Sequence, residues 1–139
     1  MKQICLMLGL VFMFVGCGKA EPKGNIEREK FMRSILLADD AFEEGLPVLK
    51  QIQLLDQTLA KAREVNLEFL DFVSPGLGNA WKDFIMACSL RASGLRKNEA
   101  GNLKEGLLEQ LQGSAFWEKW EGFWLPHKLA VFKKLKVGE

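Results

Sequence analysis

The sequence contains a single histidine and three cysteines, and these scarcities exclude several kinds of site. One histidine cannot form a two-histidine metal site, and haem attachment through C-x-x-C-H is excluded because that pattern does not occur. A Ser-His-Asp or Cys-His site would have to use His127 as its proton carrier. Neither a G-x-S-x-G motif nor a Walker or Rossmann glycine pattern is present. We therefore predict a protein that is not an enzyme and has no cofactor, with an enzyme of unknown type, using a carboxylate, as the remaining alternative.

The chain also lacks a large net charge of either sign, since its formal net charge is +1. It holds 19 Lys and Arg residues against 18 Asp and Glu residues. A binder of nucleic acid needs a basic surface to neutralise phosphates. The charge balance therefore predicts no nucleic-acid partner.

The longest apolar run lies near the start of the sequence and is short. Lys2 precedes an apolar segment of twelve residues, 4–15, which ends at Gly16 and Cys17. This length is typical of a secretory signal and is too short to span a bilayer. An ordinary signal peptide, or a buried apolar strand with an incidental cysteine, is the alternative.

The Val15-Gly16-Cys17 sequence resembles the lipobox of bacterial lipoprotein signal peptides. Phe14 departs from the leucine that is typical at that position. The resemblance implies that residues 1–16 are removed, that Cys17 becomes the first mature residue, and that Cys17 carries lipid. Gly18 in place of aspartate then implies an outer-membrane location facing the periplasm if the host is Gram-negative. Residues 17–25 are polar and contain proline and glycine, which predicts a flexible tether behind the lipid.

Processing at Cys17 leaves Cys88 without a partner for an internal disulfide. A lone cysteine in an exported protein is most often buried as a small hydrophobe. The alternative is a reactive or intermolecularly paired thiol. We expect the buried form, because Cys88 shares a helical face with Trp81 and Phe84.

From Ile26 to Glu139 the apolar residues recur at spacings of three and four, without convincing β-alternation. This predicts one all-α domain, an irregular bundle of four to six helices. The first helix is expected to end at Gly45, with a break near Ala38 as an alternative. A second helix is expected from Pro47 to Ser74.

Asn79 is predicted to cap a third helix, and Asn102 with Glu105 a fourth. The fourth contains four leucines whose helical face is opposite that of the aromatic residues that follow them. A straight helix would have to bury both faces, so a kink or a break is predicted at Gly113-Ser114. The next piece is expected to end at Leu125-Pro126, with a short final helix over residues 127–136.

Five aromatic residues after Ser114 share one helical arc of about 120°. A stripe with this spacing usually packs into the core. The alternative is a contact with a partner or a membrane, because tryptophan anchors interfaces well. The residues of that candidate contact are Trp117, Trp120 and Trp124.

The C-terminal segment is basic and amphipathic. Lys133 and Lys134, with Lys128 and Lys136, surround apolar residues such as Leu129. Such a segment fits an anionic membrane surface, whereas the more common arrangement is a solvated helix face.

Four carboxylates lie close together just before Gly45: Asp39, Asp40, Glu43 and Glu44. Carboxylates can hold a hard cation, but no EF-hand loop pattern surrounds these residues. A solvated or capping role is therefore the preferred interpretation, and we predict no metal site.

Together these features predict a lipid-anchored, non-enzymatic helical module that binds a protein partner at the cell envelope. Exclusion, immunity, inhibitor and assembly factors are the classes that this description fits. The alternative is a membrane-surface or envelope-structural protein that uses the basic aromatic C-terminal segment.

Overall fold

The computed structural model describes residues 22–135, with side chains from residue 25 onward. This part of the chain forms five helices and contains no strand: α1 (Pro22–Ala41), α2 (Val48–Ala62), α3 (Leu67–Val73), α4 (Leu77–Glu99) and α5 (Leu103–Leu135). The predicted all-α bundle of four to six helices is therefore confirmed. The signal peptide, Cys17 and residues 18–21 lie outside the described residues, so the lipidation remains a prediction.

Helix α1 begins at Pro22, within the segment that the sequence assigns to the tether. It runs unbroken past Ala38, whose side chain is buried against the core, and the alternative of a break there is wrong. Gly45 follows with a φ of 81°, a conformation that favours glycine, so the predicted end of the first helix is confirmed.

The single helix expected from Pro47 to Ser74 is in fact two helices. Helix α2 ends at Ala62, and α3 begins after Asn66, whose side-chain oxygen accepts a hydrogen bond from the Phe69 N–H at 3.0 Å. The Asn66 N–H donates to the Glu27 carboxylate of α1 at 2.7 Å. The helical spacing continues through the break because Val65 is buried in the turn, and this misled the prediction.

Helix α4 begins at Leu77, so the prediction of Asn79 as its cap is wrong. Gly76 precedes it with a φ of 90°, and this left-handed residue turns the chain between α3 and α4. The start of α5 directly after Asn102 agrees with the sequence.

Helix α5 is continuous over 33 residues, so neither a break at Gly113-Ser114 nor the helix end predicted at Leu125-Pro126 occurs. Gly113 lets α5 lie close to α4, since a Cβ atom at this position would be 3.1 Å from the Ala87 carbonyl oxygen. The helix does not bury both of its faces. The leucines before Gly113 are exposed, while Trp120 and Trp124 are buried.

Pro126 lies inside α5 and cannot donate a backbone hydrogen bond to the preceding turn. His127 provides a side-chain partner for that turn. Its Nδ1 atom is 2.7 Å from the Phe123 carbonyl oxygen, and its ring stacks on the Phe123 ring with centroids 4.1 Å apart. With Nδ1 protonated, the imidazole donates to this carbonyl and so supports the continuous helix.

Aromatic rings form the centre of the core. Trp81 of α4 stacks on Phe84 with centroids 4.3 Å apart, and its indole Nε1 donates to the Ala62 carbonyl at 3.0 Å. Trp120 and Trp124 of α5 stack on each other at 5.1 Å. The Trp120 ring also lies edge-on to Trp81, with centroids 5.6 Å apart, and this contact joins α5 to α4. The indole hydrogen bond joins α4 to the end of α2.

Cys88 is fully buried within this core, as its helical face predicted. Burial raises the pKa of the Cys88 thiol to about 12. The thiol is therefore protonated and unreactive at neutral pH in the folded protein.

No helix between residues 22 and 135 combines the length and apolarity needed to cross a bilayer.

Candidate functional site

The aromatic stripe of α5 lies mostly in the core. The Trp120 and Trp124 side chains are only 2% and 6% exposed. These two candidate contact residues therefore act mainly as core residues, and only small parts of their rings reach the cleft described below. Trp117 is partly exposed and remains available for contact.

Trp117 lies in a cleft between α1 and α5. The two helices run antiparallel, because Arg28 near the start of α1 donates to the Leu135 carbonyl at 3.0 Å, whereas Phe42 at the end of α1 contacts Trp117 with ring centroids 4.7 Å apart. Large aromatic rings lie between the helices. We call the open space above these rings the α1–α5 cleft.

The upper compartment of the cleft has a volume of about 310 Å³. Its walls come from the end of α1, the middle of α4 and the turn of α5 at Gly113. Its lining residues are Phe42, Ala87, Arg91, Gly113, Ser114, Trp117, Glu118 and Glu121. This compartment combines an aromatic floor with charges of both signs.

The lower compartment is smaller, about 170 Å³, and shares Trp117 and Glu121 with the upper one. It is lined by Ile35, Ala38, Asp39, Phe84, Trp117, Trp120, Glu121, Trp124, Leu125 and Lys128. From Ser114 to Lys128 the cleft follows 15 helical residues, and the 14 rises of about 1.5 Å between them span about 21 Å of α5.

Arg91 contributes the positive charge at the upper end. Its guanidinium carbon lies 5.8 Å from the centre of the Phe42 ring, which places the cation over an aromatic face. The Arg91 Nε atom is buried and has no hydrogen-bond acceptor among the described residues. Arg91 can therefore offer donors to an acidic or carbonyl group that enters the upper compartment.

Asp39 and Lys128 lie at the lower end, on opposite helices. Partial burial raises the pKa of the Asp39 carboxyl, and the neighbouring Asp40 carboxylate adds to this effect, while Lys128 opposes it. Lys128 thus partly offsets the cost of placing a carboxylate beside the aromatic floor.

The other predicted contact residues lie near the end of α5. Lys133 and Lys134 are exposed, as the basic segment predicted. Leu125 and Leu129, on the preceding turns, are 62% and 77% exposed. An exposed surface that mixes lysines and leucines therefore continues from the lower end of the cleft.

The acidic residues at the end of α1 and just after it do not form a metal site with other side chains. In the range 22–135 no group of three or more His, Cys, Asp or Glu side chains is placed to hold a metal ion. Asp39, Asp40, Glu43 and Glu44 are exposed.

Sequence reasoning missed several lining residues of the cleft, notably Phe42, Arg91, Ser114 and Glu121. They belong to three different elements, and no local spacing relates them. Only Trp117 carried a signal, because it stands at the edge of the aromatic stripe and so is less buried than its neighbours.

No protein-family model matches this chain, and neither a curated protein nor a solved structure was found to be similar to it.

Proposed function

We propose that this protein is a lipid-anchored, non-enzymatic module of the bacterial cell envelope that binds a segment of a protein partner in the α1–α5 cleft. The anchor part of the proposal comes from the Val15-Gly16-Cys17 lipobox. The binding part is supported by one observation above all. The cleft is open, has an aromatic floor at Trp117, and has Arg91, Glu121 and Lys128 along its length.

The dimensions of the cleft favour a short peptide segment as its ligand. A length of about 21 Å accommodates about six extended residues or four turns of helix. Apolar side chains of the segment would contact Trp117 and Phe42, and its polar groups would meet the alternating charges of the rim. This arrangement orients a segment as well as holding it.

The environments of Cys88 and His127 support a non-enzymatic role. The Cys88 thiol is buried in the core, far from ionisation at neutral pH. The Nδ1 atom of His127 is engaged with the Phe123 carbonyl. Neither residue lines the cleft.

Photo-crosslinking tests partner binding directly. A photoreactive amino acid in place of the exposed Glu118 should give an adduct with another envelope protein when the full chain is expressed in its host. Ser114→Trp should abolish that adduct by filling the upper compartment. Gln112→Trp, exposed on the same helix but outside the cleft, is the matched control and should leave the adduct intact. A chain that gives no adduct, or one that Ser114→Trp does not affect, contradicts the binding proposal.

Fatty-acid labelling tests the anchor separately. The wild-type chain should incorporate a labelled fatty acid and sediment with membranes. The Cys17→Ser variant should lose the label and the lipid-dependent sedimentation. Labelling that survives Cys17→Ser would show that the lipobox interpretation is wrong.

A second candidate function is contact with the membrane surface through the end of α5. The observation that favours it is the exposure of Leu125 and Leu129 beside Lys128, Lys133 and Lys134. Lysines attract anionic lipid while exposed leucines enter the interface. A chain starting at Gly18 should then sediment with anionic vesicles, less so at high salt. The double change Lys133→Glu and Lys134→Glu should abolish this binding, whereas Lys50→Glu with Lys82→Glu should not. Absence of salt-sensitive binding would exclude this candidate.

A further inference from the structure

The first ten residues of α5, residues 103–112, expose four leucines that the fold does not use. Leu103, Leu107, Leu108 and Leu111 are 55–68% exposed. This segment packs on α4 through Gly106, while Gly113 makes the next close contact. A contiguous exposed patch of this kind on a small protein usually marks an interaction surface.

The charge around the leucines decides between a lipid surface and a protein. Residues 103–118 contain one lysine, Lys104, against three glutamates, Glu105, Glu109 and Glu118. An anionic membrane would repel this part of the helix. The leucine face therefore fits a protein better than a lipid, unlike the lysine-rich end of α5.

The same face is complementary to itself in shape. At 100° per residue, Ser114, Ala115 and Glu118 continue the arc that the leucines begin. When a second copy is placed antiparallel, with the two-fold axis at Leu111, Leu107 lies opposite Ala115 and Leu108 lies opposite Ser114. Leu107 and Leu108 then each meet a small side chain, as close packing of two helices requires, and Leu111 meets its own symmetry mate.

The same register is complementary in charge. Lys104 of one copy lies opposite Glu118 of the other, and the symmetry repeats this pair at both ends of the contact. Both side chains are exposed, and neither forms an ion pair with another residue of the described range. Centring the axis on Leu107 instead would place Glu105 opposite Glu109, which brings like charges together.

We propose that the chain forms a two-fold symmetric homodimer in which residues 103–118 of α5 pair antiparallel about Leu111. The contact is isologous, because the same face serves both copies. It also covers Ser114 and Glu118 of the upper compartment, so dimer formation and occupation of that end of the cleft exclude each other. The dimer does not depend on the proposed partner.

Disulfide trapping in the full chain tests the register. Leu111→Cys should give a cross-linked dimer under mild oxidation, because the two-fold axis brings the two copies of this residue together. Leu107→Cys and Leu103→Cys should not, since along antiparallel helices their symmetry mates are separated by about 12 Å and about 24 Å. The unsubstituted chain gives the baseline from its own cysteines, and a thermal melt of each variant checks that the fold is intact.

Charge reversal provides the second measurement. Lys104→Glu and Glu118→Lys should each lower the yield of the Leu111→Cys dimer by about tenfold, and the two changes together should restore it. Equal trapping at residues 103, 107 and 111 would indicate a parallel pair and overturn the proposal. Trapping of a different protein at Leu111→Cys, protection of that cysteine by vesicles, or no trapping at all would also overturn it.

Discussion

Helix α5 consists of two segments that pack against the bundle in different ways. In residues 113–135 the tryptophans at 120 and 124 and Val131 are buried, whereas Leu125 and Leu129 are exposed. In residues 103–112 the only buried residue is Gly106, and the leucines face outward. One continuous helix thus contacts the bundle through tryptophan rings in one segment and through a glycine in the other.

The difference reflects what each segment packs against. Residues 113–135 lie over a core shared with α1 and α4, where rings fill the space between helix axes. Residues 103–112 lie against α4 alone. There a Cβ on Gly94 would be 2.6 Å from the Gly106 carbonyl oxygen, so the two backbones are nearly in contact. Residues 103–112 therefore pack on α4 through close approach of the two backbones, and their leucines stay exposed.

The largest expected difference is between the reaction rates of two thiols, one in the aromatic core and one in residues 103–112. In a chain with Cys5→Ser and Cys17→Ser, Cys88 should react with a disulfide reagent at pH 8 at least about a thousandfold more slowly than a cysteine introduced by Gln112→Cys. The Cys88 pKa of about 12 lies about three units above its ordinary value. Reaction kinetics monitored by thiol release give both rates. Comparable rates would mean that the aromatic core opens readily.

Removing a ring from the aromatic segment should have the largest effect on stability. Trp120→Ala removes a side chain that is 2% exposed and should lower the free energy of unfolding by about 3–5 kcal/mol. Leu108→Ala is the matched control in residues 103–112, and it should change the unfolding free energy of the monomer by less than about 0.5 kcal/mol. Urea denaturation at low protein concentration measures both. Similar losses for the two variants would refute the contrast between the segments.

Adding one carbon to the glycine contact should have an intermediate effect. In Gly106→Ala the new Cβ would be 2.7 Å from the Gly94 carbonyl oxygen, and the two helices would have to separate. We expect a loss of about 1–3 kcal/mol, against the gain that alanine normally brings in a helix. Gly122→Ala is the control, because nothing lies within 4 Å of its Cβ position and it should stabilise the protein. In thermal unfolding, the midpoint temperature should fall for Gly106→Ala and rise for Gly122→Ala.

The smallest of these effects concerns pH. The ionised carboxyls of Asp39 and Glu109 should change the free energy of unfolding in opposite directions. The pKa of Asp39, beside the aromatic segment, is raised by burial, so its unfavourable contribution is present above its folded pKa and disappears as the pH falls through that pKa. The pKa of Glu109 is lowered by hydrogen bonds from Lys97 and Ser93. Its favourable contribution is present above the unfolded pKa and is lost as the pH falls through the folded one.

Two amide variants test these signs by urea denaturation at pH 7 and pH 3. Asp39→Asn should raise the unfolding free energy at pH 7 by less than about 1 kcal/mol, because solvent screens this partly exposed group. Glu109→Gln should lower it at pH 7 and have a smaller effect at pH 3. Shifts of the same sign at pH 7 would contradict the assignment.

Local patterns predicted much of the fold. The helical class, the turn at Gly45 after α1, the start of α5 after Asn102 and the burial of Cys88 all followed from spacing and terminal residues. The break between α2 and α3 did not, because it depends on the hydrogen bond from Asn66 to Glu27, 39 positions earlier in the sequence. A contact over that distance leaves no trace in local periodicity.

The candidate site was predictable only in part. Trp117 was identified from the aromatic stripe, but its neighbours Trp120 and Trp124 face inward, and the stripe alone could not separate them. The remaining lining residues, such as Phe42 and Arg91, meet only because α1, α4 and α5 pack together. The resemblance to a lipobox depends on a few adjacent residues ending at Cys17, and it stays a prediction.

The spacing of residues along the chain predicted that it is helical, that the aromatic residues and the leucines of α5 fall on different faces, and that Cys88 faces the core. Only the packing of the helices shows which of the two faces of α5 is buried and that the helix continues through Gly113 and Pro126. The physical reason is distance between helix axes. Glycines at 94, 106 and 113 draw α4 and α5 close together, and this leaves no room for leucine between them. Helix α1 lies farther from α5, and the tryptophan rings fill the wider space between them.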